Sequence, residues 1–592
     1  MTNETLFTTP NIEIQSLPGG GSIVRSRDVI PPFEPRLVHH LETWARTRPT
    51  QSFLQERSGE AWRGVSYEDA YDRVRRLAAG LLGLSVNRPV MVLSGNSIDH
   101  AMIGLAAQMV GVPYVPVSAP YSLLSKDFSK LRAILRKVEP GLVYVDRASA
   151  FARALAIEEI AGATLVATDP TGVSGVLSLK ELETETGDGQ VERAAEAVDP
   201  DAPGKLLFTS GSTGHPKGVI LTHRMMAVNQ EQMAVPWPFL RRTPPVLLDW
   251  LPWSHVFGNN HNLGMVLRHG GTMWLDDGRP TEADFGRTLR NMRDVSPTIS
   301  LNVPKGYELL TPVLEQEPAL ARIWLQEMRV IFYAAAAIPL AIWRRLEAVA
   351  AEHAPRQIAM ASSWGMTETS PAAVTVHSRD TAPGCIGVPL PGVEIKLVPN
   401  DGKLEVRVRG PNITRGYWRD TQATEALFDA DGFLHTGDAF AWMRPDDPSA
   451  GFRFDGRLAE DFKLSSGTKV HAGALRLRAL DALRTIARDV VIVGADQDAI
   501  GLLIIIQDER RTELRSHALA AETAEALRTI NAQSGGASSA TITGAGFLEE
   551  PLSLDAGEMT DKGSLNVRTI LARRESTWQK LYTPGHPDVI LP

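Results

Sequence analysis

The sequence predicts an α/β fold built in several layers, and three changes of pattern along the chain support this prediction. From Leu37 onward, short apolar runs alternate with segments of helical periodicity, which favours parallel strands joined by helices. After about Gly384, strand-like runs are joined by Gly, Asn and Asp turns, which indicates a small, mostly antiparallel β-module. Past residue 455 the α/β pattern resumes, so the 592 residues are expected to form more than one domain.

The first half of the chain predicts a regular order of helices and strands. In "YEDAYDRVRRLAAGLLGL" the apolar residues recur at helical spacing, at Ala70, Val74, Leu77, Ala78 and Leu81. "VMVLSGN" predicts a short buried strand, and it is followed by an apolar helix from Ile98 and by a strand in "YVPVS". "KDFSKLRAILRKV" and "GLVYVD" repeat the alternation of helix and strand.

The N-terminal residues and the second half of the chain show other sequence patterns. Residues 1–35 are polar, rich in Gly and Pro and aperiodic, so we expect an extension that lies on the surface. "VEIKLV", "GKLEVRVRG" and "GFRFDG" predict the strands of the β-module. "DVVIVGAD" and "GLLIIIQ" predict two strands near a turn, and "AETAEALRTINAQS" predicts a helix. "SGGASSATITGAG" is expected to be a loop.

Composition and charge narrow the class of protein. A hydrophobic content of 43% and a net charge of −8 are ordinary for a globular protein and give no sign of a nucleic-acid partner. The single cysteine, Cys385, excludes an intramolecular disulfide and predicts a packing residue. No signal-peptide pattern opens the sequence, and the longest apolar stretch, "AMIGLAAQMVGVPYVPV", is interrupted by Gln108 and two prolines. We therefore expect no membrane partner and a cytoplasmic location.

The stretch "FTSGSTGHPKGV", residues 208–219, has the composition of an anion-binding loop. Glycines permit the backbone angles that bring N–H groups together on an anion, hydroxyl side chains add donors, and Lys217 adds a positive charge. A flexible surface loop is the alternative. The stretch is not a Walker A loop, because Gly218 and not Ser or Thr follows the lysine.

The spacing Thr-Ser-Gly-Ser-Thr-Gly-x-Pro-Lys-Gly closely resembles the phosphate loop of the adenylate-forming superfamily, which includes acyl-CoA synthetases, luciferases and peptide-synthetase adenylation domains. "SSWGMTETSP", "PNITRGYW", "LHTGDAF" and "DGRLAEDFKLSSGT" resemble further motifs of that superfamily in the same order. The resemblance implies a large N-terminal adenylation domain, residues 36–455, of two α/β subdomains plus the β-module. It also implies a small mobile α+β lid, residues 456–592.

The resemblance also implies roles for individual residues in binding ATP and Mg²⁺. The β- and γ-phosphates would be held by the loop residues Thr209, Ser210, Gly211, Ser212, Thr213, Gly214 and Lys217. Glu368 would hold Mg²⁺, with Thr367 close to the α-phosphate and Trp364 and Gly365 beside the nucleotide. Asp438 would accept the ribose hydroxyls, and Arg457 would approach the ribose or the phosphates. The alternatives are a solvated acid for Glu368 and a surface arginine for Arg457.

Two further segments are assigned to the acyl site by the same resemblance. His255 in "LPWSHVFG" matches a residue that gates the acyl pocket, and an ordinary core histidine is the alternative. "FYAAAAIP", residues 332–339, matches a segment that lines the adenine and acyl sites with small residues. Taken without the resemblance, this second segment is a packed strand end.

The chain departs from the superfamily pattern at the hinge and at the tail. The usual Thr-x-x-Gly-Lys ending is replaced by "MTDKGSLNVR", which leaves Lys562 as the candidate for the catalytic lysine of adenylation. The hinge position is expected among Ala459, Glu460 and Asp461. Gly467 would let the pantetheine chain of coenzyme A pass.

These departures, together with "LSGNSIDHA" and "PYVPVSAPYSLLSKDFSKLR", resemble bacterial feruloyl-CoA synthases. The implied function is an ATP- and Mg²⁺-dependent ligase that forms an acyl-adenylate from a carboxylic acid and then a coenzyme A thioester. Ferulate or a related hydroxycinnamate or aryl acid is the expected substrate. A fatty acid substrate, a carrier-protein acceptor, an enzyme that stops at the adenylate and a non-catalytic relative are the alternatives, and a homodimer is compatible with the sequence.

Overall fold

The structure is a computed structural model that describes residues 5–185, 187, 189–209, 216–379, 381–559 and 565–592. It confirms the predicted α/β fold. Strands and helices are numbered here in chain order. None of the helices in the described part of the chain combines the length and the apolar character that a bilayer crossing needs.

The strands of the first 375 residues are β1 Ile12–Ser16, β2 Ser22–Ser26, β3 Ser52–Ser58, β4 Ala61–Ser66, β5 Val90–Val92, β6 Tyr114–Pro116, β7 Leu142–Arg147, β8 Thr164–Asp169, β9 Val176–Ser178, β10 Pro203–Thr209, β11 Lys217–Thr222, β12 Val246–Asp249, β13 Thr272–Leu275, β14 Ile299–Asn302, β15 Val330–Tyr333, β16 Ala359–Gly365 and β17 Ala372–Thr375. Those that follow are β18 Cys385–Pro389, β19 Glu394–Asn400, β20 Lys403–Arg409, β21 Leu434–Trp442, β22 Phe452–Arg457, β23 Phe462–Lys463, β24 Lys469–Val470, β25 Ala487–Val493, β26 Ile500–Ile506 and β27 Ile542–Phe547.

The helices that precede the phosphate loop are α1 His39–Thr47, α2 Tyr67–Gly83, α3 Ile98–Met109, α4 Pro120–Leu123, α5 Ser129–Val138, α6 Ala148–Leu155, α7 Leu179–Leu182 and α8 Gln190–Glu196. Those after it are α9 His223–Ala234, α10 Gly264–His269, α11 Phe285–Met292, α12 Pro304–Gln316, α13 Pro318–Leu325, α14 Leu340–His353, α15 Thr421–Glu425, α16 Ala472–Ala482, α17 His517–Ala532, α18 Val567–Arg573 and α19 Glu575–Gln579. A π-helix, Phe257–Leu263, leads directly into α10.

The sheet that carries the phosphate loop has the order β11-β10-β6-β5-β7-β8-β9. Its pairs are parallel except β10–β11, which confirms the parallel pairing expected from the alternating pattern. The predicted helical face of α2 is confirmed, because Ala70, Val74, Leu77, Ala78 and Leu81 are all fully buried. Such apolar faces pack against the sheet and bury its non-polar surface.

The β-module is antiparallel from β19 to β22, as predicted. The structure places it in one large sheet with the parallel strands β14, β15 and β16, in the order β1-β2-β19-β20-β21-β22-β18-β17-β16-β15-β14. The first strands of this sheet lie in residues 1–35, which were expected to be an aperiodic surface extension. That expectation is wrong for residues 12–26, because β2 pairs with β19 and buries Val24 completely.

The C-terminal part has its own apolar core around the sheet β25-β26-β27. β27 lies in the stretch "SGGASSATITGAG", so the expectation of a loop is wrong for its second half. This strand pairs in parallel with β26, a long-range contact that outweighs the low strand preference of its glycines. The division predicted between residues 455 and 456 falls inside β22, which pairs with β21 up to Arg457. The domain division itself stays a prediction.

Candidate active site

The predicted phosphate loop joins two antiparallel strands of the first sheet. Thr209 ends β10, Lys217 begins β11, and the two residues are paired across the hairpin. The loop residues Ser210, Gly211, Ser212, Thr213 and Gly214 lie outside the described residues. The hairpin therefore places the two ends of the loop, one of them the positively charged Lys217, at the same edge of the sheet.

A second set of predicted residues lies where β16 ends. Trp364 and Gly365 are the last two residues of this strand, and Thr367 and Glu368 follow in a short 3₁₀ turn, Thr367–Thr369. Gly365 is required here by close packing, because a Cβ atom at this position would lie 1.8 Å from the carbonyl oxygen of Pro371. The carboxyl ends of the parallel strands β14, β15 and β16 meet at this edge, the usual position of a ligand site in such sheets.

Tyr417 connects Glu368 to Lys217. Its hydroxyl group donates a hydrogen bond of 2.9 Å to Oε1 of Glu368, and the ammonium group of Lys217 lies 4.9 Å from the centre of its ring. The main chain reinforces this arrangement, since the backbone N–H of Thr414 donates to the carbonyl oxygen of Glu368 at 2.8 Å. A ring between a cation and a carboxylate holds both groups in defined positions.

Glu368 is 5% exposed, and burial raises the pKa of its carboxyl group, while the charges of Lys217 and Arg457 act in the opposite direction. A buried carboxylate gains stability when a cation approaches it. Oxygen ligands suit Mg²⁺, so Glu368 fits the role of a magnesium ligand. No cluster of three or more protein ligands for a metal ion occurs among the described residues.

Asp438 is linked to the end of β16 and to the end of the large sheet. Its Oδ2 accepts a hydrogen bond of 2.9 Å from the indole N–H of Trp364, and its Oδ1 lies 3.6 Å from Nε of Arg457. Asp438 and Arg457 are direct partners in the register of β21 and β22. Asp438 is 8% exposed, and burial raises its pKa to about 6 although Arg457 and Trp364 stabilise the charged form. The Arg457 side chain is 68% exposed, so solvent can reach it.

His255 follows β12 in the segment that leads into the π-helix Phe257–Leu263. It borders a small cavity together with Phe208 and with residues at the end of β6, among them Pro116, Val117 and Ser118. The segment 332–339 follows β15, and its residues 335–337 are exposed in a loop. Ala335 has a φ of +72°, a strained value for a residue with a side chain.

The remaining predicted residues lie in the C-terminal part. Gly467 occupies a turn between β23 and β24 with a φ of +83°, and a Cβ atom there would meet no atom within 4 Å. Lys562 lies outside the described residues. The segment just before it docks on the N-terminal part, because Asp555 accepts hydrogen bonds from the hydroxyl of Ser125 at 2.6 Å and the backbone N–H of Lys126 at 3.1 Å.

Two groups in this region were missed by sequence reasoning. Tyr417 lies in the quoted motif "PNITRGYW", but its place between Lys217 and Glu368 depends on the pairing of Val219 with Tyr417. Lys205 is a buried lysine in the strand that enters the phosphate loop. The sequence signal for this second group was the position of a lysine directly before the apolar residues of "KLLF".

Comparison with known proteins adds an independent finding. Residues 41–418 match the family model described as AMP-binding enzyme. The chain is 29% identical over 401 residues to 4-coumarate–CoA ligase 2 of Oryza sativa subsp. japonica, covering 63% of this chain and 68% of the relative. It is 24% identical over 519 residues to the long-chain-fatty-acid–CoA ligase FadD15 of Mycobacterium bovis, covering 78% and 81%.

Among solved structures, the anthranilate CoA ligase AuaEII in complex with anthranoyl-AMP superposes with a TM-score of 0.73 at 18% identity. The superposition covers 93% of this chain and 99% of that chain. At this level of identity the likeness concerns the fold. It agrees with the arrangement of a large N-terminal part and a C-terminal module.

Proposed function

Because the chain belongs to the AMP-binding enzyme family, we propose that it is an ATP- and Mg²⁺-dependent acid–CoA ligase that acts on ferulate or a related hydroxycinnamate or aryl acid. The single observation that carries the proposal is that three charged residues are linked through two aromatic side chains. Tyr417 contacts both Lys217 and Glu368. Trp364, four residues before Glu368, donates a hydrogen bond to Asp438. A cation for phosphates, a carboxylate for a metal ion and a carboxylate for a ribose are what adenylate formation requires.

The reaction would proceed in two displacements. In the first, a carboxylate oxygen of the acid attacks the α-phosphorus of ATP, a P–O bond forms, and pyrophosphate leaves. In the second, the thiol of coenzyme A attacks the acyl carbon, AMP leaves with the C–O bond electrons, and the thiol proton passes to solvent. Both steps depend on orientation and on neutralising the charge of the phosphates.

Each residue of the candidate site would have a distinct role in binding ATP or the acid. Lys217 and the loop 209–214 would hold the β- and γ-phosphates, with Thr367 near the α-phosphate. Asp438 would accept the ribose hydroxyls beside Trp364, and Arg457 would approach from the exposed side. Mg²⁺, held by Glu368 and the phosphates, would neutralise phosphate charge. Lys562 would bridge the acid and the α-phosphate.

The acid would bind near His255. The relatives named 4-coumarate–CoA ligase support an aryl or hydroxycinnamate acid as the substrate. The relative named long-chain-fatty-acid–CoA ligase supports an alkyl acid as the alternative. Coenzyme A would pass Gly467 after residues 456–592 rotate about the hinge at residues 459–461.

A panel of aryl, hydroxycinnamic and fatty acids, each assayed for pyrophosphate and for AMP with and without coenzyme A, tests the proposal. We expect pyrophosphate with an aryl acid and ATP alone, and AMP release that requires coenzyme A. The Asp438→Asn variant should lose most activity, and Asp446→Asn, which changes an exposed aspartate of the loop after β21, should keep it. AMP release that does not depend on coenzyme A would indicate another acceptor. Absence of pyrophosphate with every acid would refute the proposed ligase activity.

A further inference from the structure

Lys205 is a lysine buried in the interior of the protein. It lies in β10, the strand that ends at Thr209, and is 4% exposed. Its Nζ donates hydrogen bonds of 2.5 Å to Oδ1 of Asn259 and 2.6 Å to Oδ1 of Asn260. Among the described residues, no carboxylate forms an ion pair with it. A lysine side chain is rarely buried without an opposite charge beside it, because removing the ammonium group from water is costly. The burial of Lys205 therefore needs a physical reason.

The two asparagines belong to the segment that carries His255. They lie in the π-helix Phe257–Leu263, which begins two residues after His255. The side-chain amide of Asn259 also donates to the carbonyl oxygen of Trp253 at 2.8 Å, which secures the chain on the other side of His255. Lys205 therefore joins the strand that enters the phosphate loop to the residues that flank His255. π-helical turns of this kind occur frequently at functional sites.

The groups that face Lys205 from the neighbouring elements are neutral near pH 7. His100 on α3 and His223 on α9 each have a pKa lowered to about 4 by burial. Tyr114 on β6 has its ring 5.7 Å from Nζ, and burial raises its pKa. Burial lowers the pKa of Lys205 itself to about 7. Of these four groups, Lys205 is therefore the one whose charge changes near neutral pH.

A small cavity beside the amine gives the charged form room for water. Its volume is about 30 Å³, enough for about two water molecules. Its walls include Leu105, Met226 and Leu263. Two N–H groups of the ammonium are used by the asparagines, and the third can be satisfied by such a water. Deprotonation leaves the two bonds without charge assistance, which weakens each of them.

We propose that Lys205 is a positioning residue that holds the phosphate-loop strand against the His255 segment while it is protonated, and that this hold weakens when the proton is lost. Lys205 touches neither substrate in this account and acts through Thr209 and His255. The inference rests on the proposed function, since it assigns ATP to the loop and the acid to the neighbourhood of His255.

The test measures the KM for ATP, the kcat and the Kd for ATP from pH 6 to pH 9 in three proteins. For the wild type we expect the KM and Kd to rise about fivefold as the pH passes through about 7, because charge-assisted hydrogen bonds exceed neutral ones by about 1 kcal/mol. Lys205→Met should show the weaker affinity at every pH. Asn260→Asp supplies a carboxylate partner for the ammonium, so the rise should move upward by one pH unit or more.

The pH profiles of the two variants distinguish the proposed positioning role from a merely structural one. A wild-type pH profile retained in Lys205→Met, or an unmoved midpoint in Asn260→Asp, overturns the inference. A merely structural role would lower the melting temperature of Lys205→Met and leave the midpoint of Asn260→Asp unchanged, so the second variant remains decisive if the first does not fold. Protonation of ATP itself changes its affinity equally in the three proteins, so it does not affect the comparison of their pH profiles. If no acid supports pyrophosphate release, the proposed ligase fails, and the Kd for ATP still tests Lys205.

Discussion

The pH dependence of nucleoside binding gives the sharpest test of the candidate site, because it depends on one buried carboxyl group. Burial raises the pKa of Asp438 to about 6, while the indole N–H of Trp364 and the charge of Arg457 stabilise its ionised form. An ionised carboxylate offers two strong acceptors to the ribose hydroxyls, and the neutral acid offers a weaker set. Affinity for a nucleoside should therefore fall as the pH drops through about 6.

The size of the effect follows from the protonation equilibrium. With a pKa of about 6, the ionised fraction changes from about ten elevenths at pH 7 to about one eleventh at pH 5, so affinity should fall up to roughly tenfold. Trp364→Phe removes a 2.9 Å hydrogen bond to a charged acceptor, worth about 1.5 to 3 kcal/mol. That loss raises the pKa of Asp438 by about one to two units, so the midpoint should move to between about pH 7 and pH 8.

Adenosine is the suitable ligand, since it carries no phosphate that titrates in this range. Its Kd would be measured by calorimetry from pH 5 to pH 8.5 for the wild type, Trp364→Phe and the control Trp442→Phe. Trp442 lies on the same strand as Asp438 and packs 4.4 Å from the ring of Phe452. A flat profile in the wild type, or the same midpoint in Trp364→Phe as in the wild type, would refute the assigned role of Asp438.

Three further predictions concern the tail, the close packing at β16 and the segment after β22. Lys562→Ala should lower pyrophosphate formation roughly 100-fold and largely spare thioester formation from a supplied acyl-adenylate, and equal rates in both half-reactions would contradict its role. Gly365→Ala should destabilise the fold by about 1 to 3 kcal/mol in denaturant unfolding, and it should weaken ATP binding in calorimetry. The control Gly286→Ala should do neither, because a Cβ atom at position 286 would meet no atom within 4 Å. Asp461→Asn breaks a buried ion pair of 2.6 Å with Lys403, so the unfolding free energy should fall by up to ~3 kcal/mol. The control Asp455→Asn changes a half-buried aspartate that is paired with the exposed Arg453, and it should lower the unfolding free energy by less than ~1 kcal/mol.

Local patterns in the sequence predicted much of this molecule. The helical face of α2 follows from the spacing of its apolar residues, because a helix must turn them toward one side. The parallel sheet follows from apolar runs separated by helices. The prediction that Lys217, Glu368, Asp438 and Arg457 serve one site came from the resemblance of their motifs to those of the adenylate-forming superfamily.

The long-range contacts could not be predicted in the same way. The strand β2 forms because β19 offers a partner across some 370 residues of chain, and β27 forms because it pairs with β26. Tyr417 donates to Glu368 because the backbone bond from Thr414 to Glu368 joins their two segments, which lie far apart in the sequence.

What the sequence by itself determined, then, is the chemistry that is encoded locally: the periodicity of helices and strands, the composition of the phosphate loop and the identity of the charged residues. What only the tertiary structure decided is how those charges are surrounded. The environment of Lys205, and with it a pKa of about 7, arises from α3, β6 and the π-helix packing around one strand. Desolvation depends on every neighbour at once, and no short stretch of sequence contains that information.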